Sequence, residues 1–223
     1  MSSELGLRER KKRQTRQAIA EAAKRLFLER GFEQVSVAEV ARAADVSEQT
    51  VFNYFPTKED LVFERMSTFE DELLAAVRDR SEGETPLRAF AQFILDRSDS
   101  AMAGDGRRRV AELTRLVSAS PSLLARERQI VARYTDALAA LIAEESGAAP
   151  DDVEPRLAAE AMMAFHRSLI DFARRRALSR KSSADLAAEI RAAGEHALTL
   201  LEHGLGEYAK RASPHGSRSR SRG

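Results

Sequence analysis

The sequence predicts an all-α chain of about nine helices, and three observations carry that prediction. Apolar residues recur at spacings of three and four along most of the chain, which is the period of an amphipathic helix. No convincing run alternates apolar and polar residues every second position, as a half-buried strand would. Between the periodic stretches stand short breaks that carry the residue types preferred at helix starts and stops.

The first helix is expected from about Arg10 to Arg30. Ile19, Ala22, Ala23, Leu26 and Phe27 form one apolar stripe, and Gly31 follows as a left-handed C-terminal cap. Three helix starts then come close together. Ser36-Val37-Ala38-Glu39 has the hydroxyl three residues before the carboxylate that a capping box needs. Ser47 is a suitable N-cap after Ala44-Asp45-Val46. Thr57-Lys58-Glu59-Asp60 places acids at the positive end of a helix dipole. Pro56 has no amide hydrogen and biases Phe55 away from helical geometry. The spacing therefore predicts helices at 36–44 and 47–54, a break, and a longer helix at 57–80. Glu82-Gly83-Glu84-Thr85-Pro86 reads as a hinge. Later helices are expected at about 86–101, 106–118, 121–146, 152–178 and 183–209, with no fixed-period repeat. The breaks are Gly104-Asp105-Gly106, Ser118 to Pro121, Gly147 to Pro150 and Arg180 to Ser183.

Composition narrows the class. With 43% hydrophobic and 32% charged residues, the 223-residue chain is ordinary for a globular protein. No apolar run nears the ~20 residues that cross a bilayer, and the polar N-terminus offers no signal peptide. The absence of cysteine excludes disulfide scaffolds, thiolate zinc sites and cysteine nucleophiles, and it fits the cytoplasm. The net charge of +1 does not announce a nucleic-acid partner, but its distribution is uneven. Arg8, Arg10, Lys11, Lys12, Arg13 and Arg16 face only Glu4 and Glu9 in the first sixteen residues. Arg174, Arg175, Arg176, Arg180 and Lys181 form a second cluster. Arg218, Arg220 and Arg222 lie in a low-complexity Ser-Arg tail expected to be disordered and solvated. The N-terminal arm reads equally as a solvated tail or as a segment that follows a DNA backbone or minor groove.

Two short helices joined by a tight turn make a helix-turn-helix, whose second helix enters the major groove of DNA. Val37, Val40, Ala41, Val46, Val51 and Phe55 are the apolar positions that pack these helices together. Val51 and Phe55 share a face, so Gln49, Thr50 and Asn53 are presented on the other. Gln and Asn can bond adenine in a bidentate manner, and Thr can touch a thymine methyl. Tyr54 and Lys58 would lie near phosphate, and the amides around Ser36 and Val37 and the start at Ser47 suit a phosphate as well. A helical hairpin with a polar surface remains the plainer reading of the same residues.

The stretch from Ser36 to Leu61, with its block Thr50-Val51-Phe52-Asn53-Tyr54-Phe55-Pro56-Thr57-Lys58-Glu59, resembles the DNA-binding signature of the TetR family. The upstream run Ala22 to Gly31, continuing into Phe32, resembles it too. The resemblance covers roughly residues 14–65. It departs at Asp45, where the family turn usually has Gly, although Asp tolerates left-handed geometry better than most residues. Glu48 also departs, because a carboxylate repels DNA phosphate unless it accepts a bond from cytosine or simply points away.

The resemblance implies a dimeric repressor that binds an inverted-repeat operator and is released by a small apolar or amphipathic effector. It is expected in the cytoplasm, associated with the nucleoid when bound to DNA. The expected organisation is an arm at 1–9, the helix-turn-helix domain at 10–56, a linking helix at 57–80, a ligand-binding and dimerisation domain at 81–210, and a tail at 211–223. The implied dimer interface uses the last two long helices. Ala158, Ala161, Met162, Phe165, Leu169 and Phe172 stripe one of them; Leu186, Ile190, Ala193, Ala197, Leu201 and Leu205 stripe the other. Ala193, Gly194 and Ala197 would allow close helix approach, and an intrachain core is the alternative for the same stripes. The candidate pocket residues are Phe90, Phe93, Ile94, Leu113, Leu116, Val117, Tyr134, Leu138, Met162, Phe165, His166 and Ile170, each of which also suits plain core. His166 is either a polar anchor for a ligand or a satisfied core histidine. Arg167 and Asp171 are spaced to pair.

No metal site is expected from His196 and His203, and no cofactor is implied. An enzyme is not expected: there is no glycine-rich phosphate loop and no His-Glu-x-x-His set, and Glu70-Asp71-Glu72 reads as an acidic surface turn. The other regulatory readings are a DNA-binding activator and an architectural protein without a ligand.

Overall fold

Residues 2–64, 66–178 and 182–204 are described in a computed structural model, and among them are nine α-helices, one 3₁₀ turn and no strand. The helices are α1 (Ser2–Arg30), α2 (Val37–Ala43), α3 (Glu48–Tyr54), α4 (Met66–Arg78), α5 (Pro86–Met102), α6 (Gly106–Ser118), α7 (Pro121–Ser146), α8 (Glu154–Ala177) and α9 (Ser183–His203). The tail from 211, the end of the last expected helix at 205–209, Arg180 and Lys181 lie outside the described residues.

The helix ends follow their caps. Ser36 and Glu39 form the full capping box, with the Ser36 amide donating to the Glu39 carboxylate at 2.8 Å and the Glu39 amide to the Ser36 hydroxyl at 3.2 Å. Ser47, Thr85, Ser120 and Ser182 each accept a first-turn amide, and Pro86 and Pro121 open their helices where no amide partner is needed. Asp45 takes the left-handed conformation (φ 54°) that the turn between α2 and α3 requires.

Two boundaries differ from expectation. α1 begins at Ser2 rather than near Arg10, so helix occupies the segment expected as a disordered arm; apart from Gly6 the run consists largely of adequate helix formers. The expected helix at 57–80 is broken into a 3₁₀ turn at Glu59–Leu61 and α4 from Met66. Thr57 and Asp60 exchange side-chain and backbone bonds at 3.0 and 3.3 Å, as a helix start should, but the turn closes on Val62 instead of propagating. Glu70, Asp71 and Glu72 lie within α4 and not in a turn.

α1, α2 and α3 close over Ile19, Ala23, Phe27, Val40, Ala41, Val51 and Phe55, all buried. In the second domain α7 packs on α8, α5 on α9, and α8 on α9, while α4 lies against α5 and α7. The two domains meet where Arg126 of α7 binds Asp60 at 2.7 Å and the Ser120 hydroxyl donates to Glu33 at 2.5 Å. Among the described residues, no helix is long and apolar enough to cross a membrane.

Part of each stripe expected to face a second subunit builds the intrachain core, while Ala158, Ala161, Phe172, Ala193, Ala197 and Leu201 are half-buried. Met162, Phe165, Leu169, Leu186 and Ile190 are buried within the single chain. Gly194 permits a close approach, but to this chain: a Cβ there would lie 2.4 Å from a Leu95 methyl of α5 and 3.3 Å from Leu169 of α8. Of the expected α8 stripe, Ala161 lies toward the outward side, and the outward faces of α8 and α9 otherwise carry other residues. Leu157, Ala161, Ala164 and Ser168 follow one line on α8, and Ala184, Ala188, Ala192 and Thr199 follow one line on α9.

Candidate functional site

Val51 and Phe55 are buried against α1 and α2, and that burial decides what α3 shows to solvent. Gln49 and Asn53 are exposed one turn apart, and the Gln49 side-chain amide donates to the Asn53 oxygen at 3.1 Å. Thr50 is half-buried; its hydroxyl lies 2.8 Å from that of Ser47, whose oxygen also caps the helix. The hydroxyl of Ser36 is occupied in the same way, by the Glu39 carboxylate at 2.9 Å. Val37 is half-buried against the core rather than presented outward. Glu48 is exposed in the first turn of α3.

Phe52 was not among the expected residues, yet it is 43% exposed on α3. It stands three residues after Gln49, so the helical period places it beside Gln49. Tyr54 is half-buried. The Lys58 ammonium sits 4.2 Å from the centre of the Phe32 ring, a cation–π contact that ties the chain after α3 to the end of α1.

Arg16, the last residue of the N-terminal basic cluster, is held within the fold. Its guanidinium lies 4.5 Å over the Phe55 ring and donates to the Tyr54 carbonyl at 3.0 Å and to the Glu64 carbonyl at 3.4 Å. One α1 side chain thus fastens both the end of α3 and the chain leading into α4. Arg30 of α1 similarly holds Glu39 of α2 at 2.8 Å. That bond adds to the Ser36 backbone bond, and together they hold the Glu39 carboxyl down at about 2.

The second domain has a pocket of about 290 Å³ between α7, α8 and the first residue of α4. Of the twelve expected pocket residues, Tyr134, His166 and Ile170 line it. Phe90, Ile94, Met162 and Phe165 are core side chains because α5, α8 and α9 pack directly on one another there, and Val117 of α6 and Leu138 of α7 are buried where those helices pack on α8. Phe93 joins an aromatic cluster with Phe69 (5.6 Å between ring centres), Leu113 is exposed, and Leu116 borders a separate groove against Phe27 and Phe32. The lining also includes Met66, Val131, Glu127, Arg128 and Arg174, which periodicity did not single out. Arg167 and Asp171, expected to pair, both border the pocket instead.

His166 is 7% exposed, and its ring stacks on Phe69 with centres 5.3 Å apart. Its Nδ1 has no hydrogen-bond partner among the described residues. Burial, with the guanidinium groups of Arg167 and Arg174 nearby, pushes its pKa down to about 4, so the imidazole is neutral at pH 7. The Tyr134 hydroxyl donates to the Met66 carbonyl at 2.8 Å, and burial pushes its pKa up to about 12. Arg174 pairs with Glu127, and Arg156 with Asp136 and Glu160. Among the described residues, no group of three or more His, Cys, Asp and Glu side chains is arranged to hold a metal ion.

Residues 19–64 match the family described as bacterial regulatory proteins, tetR family, and residues 86–205 match the MftR C-terminal domain. The HTH-type transcriptional regulator TcmR of Streptomyces glaucescens is 36% identical over 157 residues, which is 68% of this chain and 69% of that protein. The fatty acid metabolism regulator protein of Bacillus subtilis is 24% identical over 155 residues, 67% of this chain and 78% of that one. Among solved structures, NalD of Pseudomonas aeruginosa, the secondary repressor of the MexAB-OprM multidrug efflux pump, superposes with a TM-score of 0.54 at 25% identity, covering 83% of this chain and 97% of that one. FadR of Thermus thermophilus, a TetR-family transcriptional repressor solved with lauroyl-CoA, superposes with a TM-score of 0.51 at 25% identity, covering 91% of this chain and 100% of that one.

Proposed function

The chain belongs to the TetR family of DNA-binding transcription regulators, and from that premise we propose that it is a dimeric repressor released from an inverted-repeat operator by a small apolar or amphipathic effector. The observation that carries this reading is the wall of the pocket. Met66, the first residue of α4, lines it and is bonded to Tyr134, and the chain immediately before Met66 leads back to α3. A ligand there touches the connection between the two domains. It can shift the spacing of paired α3 helices by binding one state better than the other.

Gln49, Asn53, Thr50 and the exposed Phe52 form the proposed base-reading face, with Tyr54, Lys58 and the amides around Ser36, Val37 and Ser47 beside phosphate. A short helix reads few base pairs, so a twofold pair is needed for a specific site. The outward small-residue faces of α8 and α9, continued by Val153 (73% exposed) and Leu157 (67%), support a second copy packing there. Both repressors solved at this similarity support the same sense of regulation, and the protein would act in the cytoplasm. At about 290 Å³ the pocket is at the small end for ligand sites. It therefore favours an effector more compact than a long acyl-CoA.

The test is binding of the dimer to its own promoter DNA, followed by fluorescence anisotropy. The expected outcome is specific binding that Asn53→Ala weakens by roughly 1–3 kcal/mol and that a pocket ligand reverses. Binding of similar strength to every sequence would point to an architectural protein, and ligand-tightened binding to an activator.

A further inference from the structure

We propose that the α4–α7–α8 pocket selects compact amphipathic anions, with the apolar body against Met66, Val131, Tyr134 and Ile170 and the acid group held at the rim by Arg128 and Arg167. This rests on the effector reading of the same pocket and adds the charge of the ligand to it.

The rim decides the sign. Arg174 is neutralised by Glu127, and Arg156 by Asp136 and Glu160. Arg128 and Arg167 border the same opening, and among the described residues neither is joined to a carboxylate within salt-bridge distance. Asp171 is the acidic lining residue in the same condition, so the lining itself carries four guanidinium groups against three carboxylates, with Asp136 outside the lining as a second carboxylate on Arg156. Guanidinium is the side chain best shaped for a carboxylate, through two parallel N–H donors.

The inner end is of a different kind. Met66, Val131, Tyr134 and Ile170 are apolar or aromatic, and His166 lies buried among them against Phe69. Its imidazole stays neutral at physiological pH, because burial and the two nearby guanidinium groups oppose protonation. A ligand therefore meets no fixed charge inside and, outside, two guanidinium groups whose donors no carboxylate among the described residues occupies. The unpartnered His166 Nδ1 marks the inner end as polar but uncharged. This two-part arrangement orients an amphiphile acid-outward, and it disfavours a cation of the same shape.

Three probes with one aromatic body separate the possibilities: 2-naphthoate, the isosteric neutral 2-naphthamide, and the cationic 2-naphthylmethylamine. Affinities for the full-length protein are measured by calorimetry at pH 7 and fixed salt. The expected order is acid, then amide, then amine, with the acid roughly tenfold tighter than the amide. Arg128→Met with Arg167→Met should remove that tenfold and leave the amide unchanged; both side chains are exposed, so the fold is kept, as an unchanged melting temperature would verify. An amide as tight as the acid, an amine tighter than both, no binding by any of the three, or an acid affinity unchanged in the double variant would each overturn the proposal. Operator release is read separately on the same samples. Acid-selective binding without release supports the anion site and removes the effector reading; release by acid and amide alike, at equal affinity, keeps the effector reading and removes the anion selectivity.

Discussion

The carbonyl of Tyr54 is one of the groups that an α-helix leaves without an internal partner at its C-terminus, and in α3 Arg16 supplies the missing donor. The same guanidinium lies over the ring of Phe55, the buried residue that anchors α3. Arg16 is therefore a positioning residue for the proposed base-reading face. Arg16→Gln should lower operator affinity by roughly tenfold, since it removes charge-assisted bonds to two carbonyls and a cation–π contact. The dependence of affinity on salt should stay as it is, because no phosphate contact is lost. A fall of about 0.9 in the slope of log K against log salt would instead mean that Arg16 touches DNA. Gln49 and Asn53 are legible in the sequence because Val51 and Phe55 define a buried side and leave one exposed side. Arg16 is not legible as a clamp, because its partner lies 38 residues away and sequence shows only that it is basic.

At the scale of elements, caps and breakers carry most of the boundaries. The starts at Ser36, Ser47, Thr85, Ser120 and Ser182 each rest on a side chain within three residues of the amide it accepts, so local sequence contains the whole interaction. The stretch 57–65 contains a good start, but whether the helix continues there depends on how Leu61 and Phe63 reach the core shared with α1. Gly194 shows the same limit in packing. A helix interior favours Ala over Gly by about 1 kcal/mol, and local sequence alone would expect Gly194→Ala to stabilise α9. The new Cβ, however, would press on a methyl of Leu95, which is itself 2% exposed, and overpacking of that kind costs about 1–3 kcal/mol. The substitution should lower the midpoint of urea unfolding; a raised midpoint would show that α5 gives way freely.

For the whole molecule, the buried neutral imidazole of His166 ties stability to pH. Its pKa is about 4 in the folded chain against 6.5 for the free group, so the unfolded chain binds the extra proton between those values. The stability this provides is complete above about pH 6.5, decreases as pH falls, and has been lost by about pH 4, a change on the order of 3 kcal/mol. His166→Gln should flatten the dependence of melting temperature on pH between 6.5 and 4 relative to the unsubstituted protein. An unchanged pH profile would mean that this imidazole is not kept neutral by burial.

The sequence by itself determines the helical class, the helix-turn-helix and the family, because each rests on contacts between residues a turn or two apart. Caps, the apolar period and the Thr50–Glu59 block are all of that kind. It also determines which side of α3 faces outward, since two buried residues one turn apart leave a single free face. What only the tertiary structure decides is which apolar stripes meet each other. The stripes of α8 and α9 could face a partner or this chain's own core, and the periodicity is identical in both cases; the chain's own α5 and α7 occupy part of each, leaving the smaller residues outward. The pocket follows the same rule. A cavity is the space left where α4, α7 and α8 fail to close, and no single helix records where its neighbours stop.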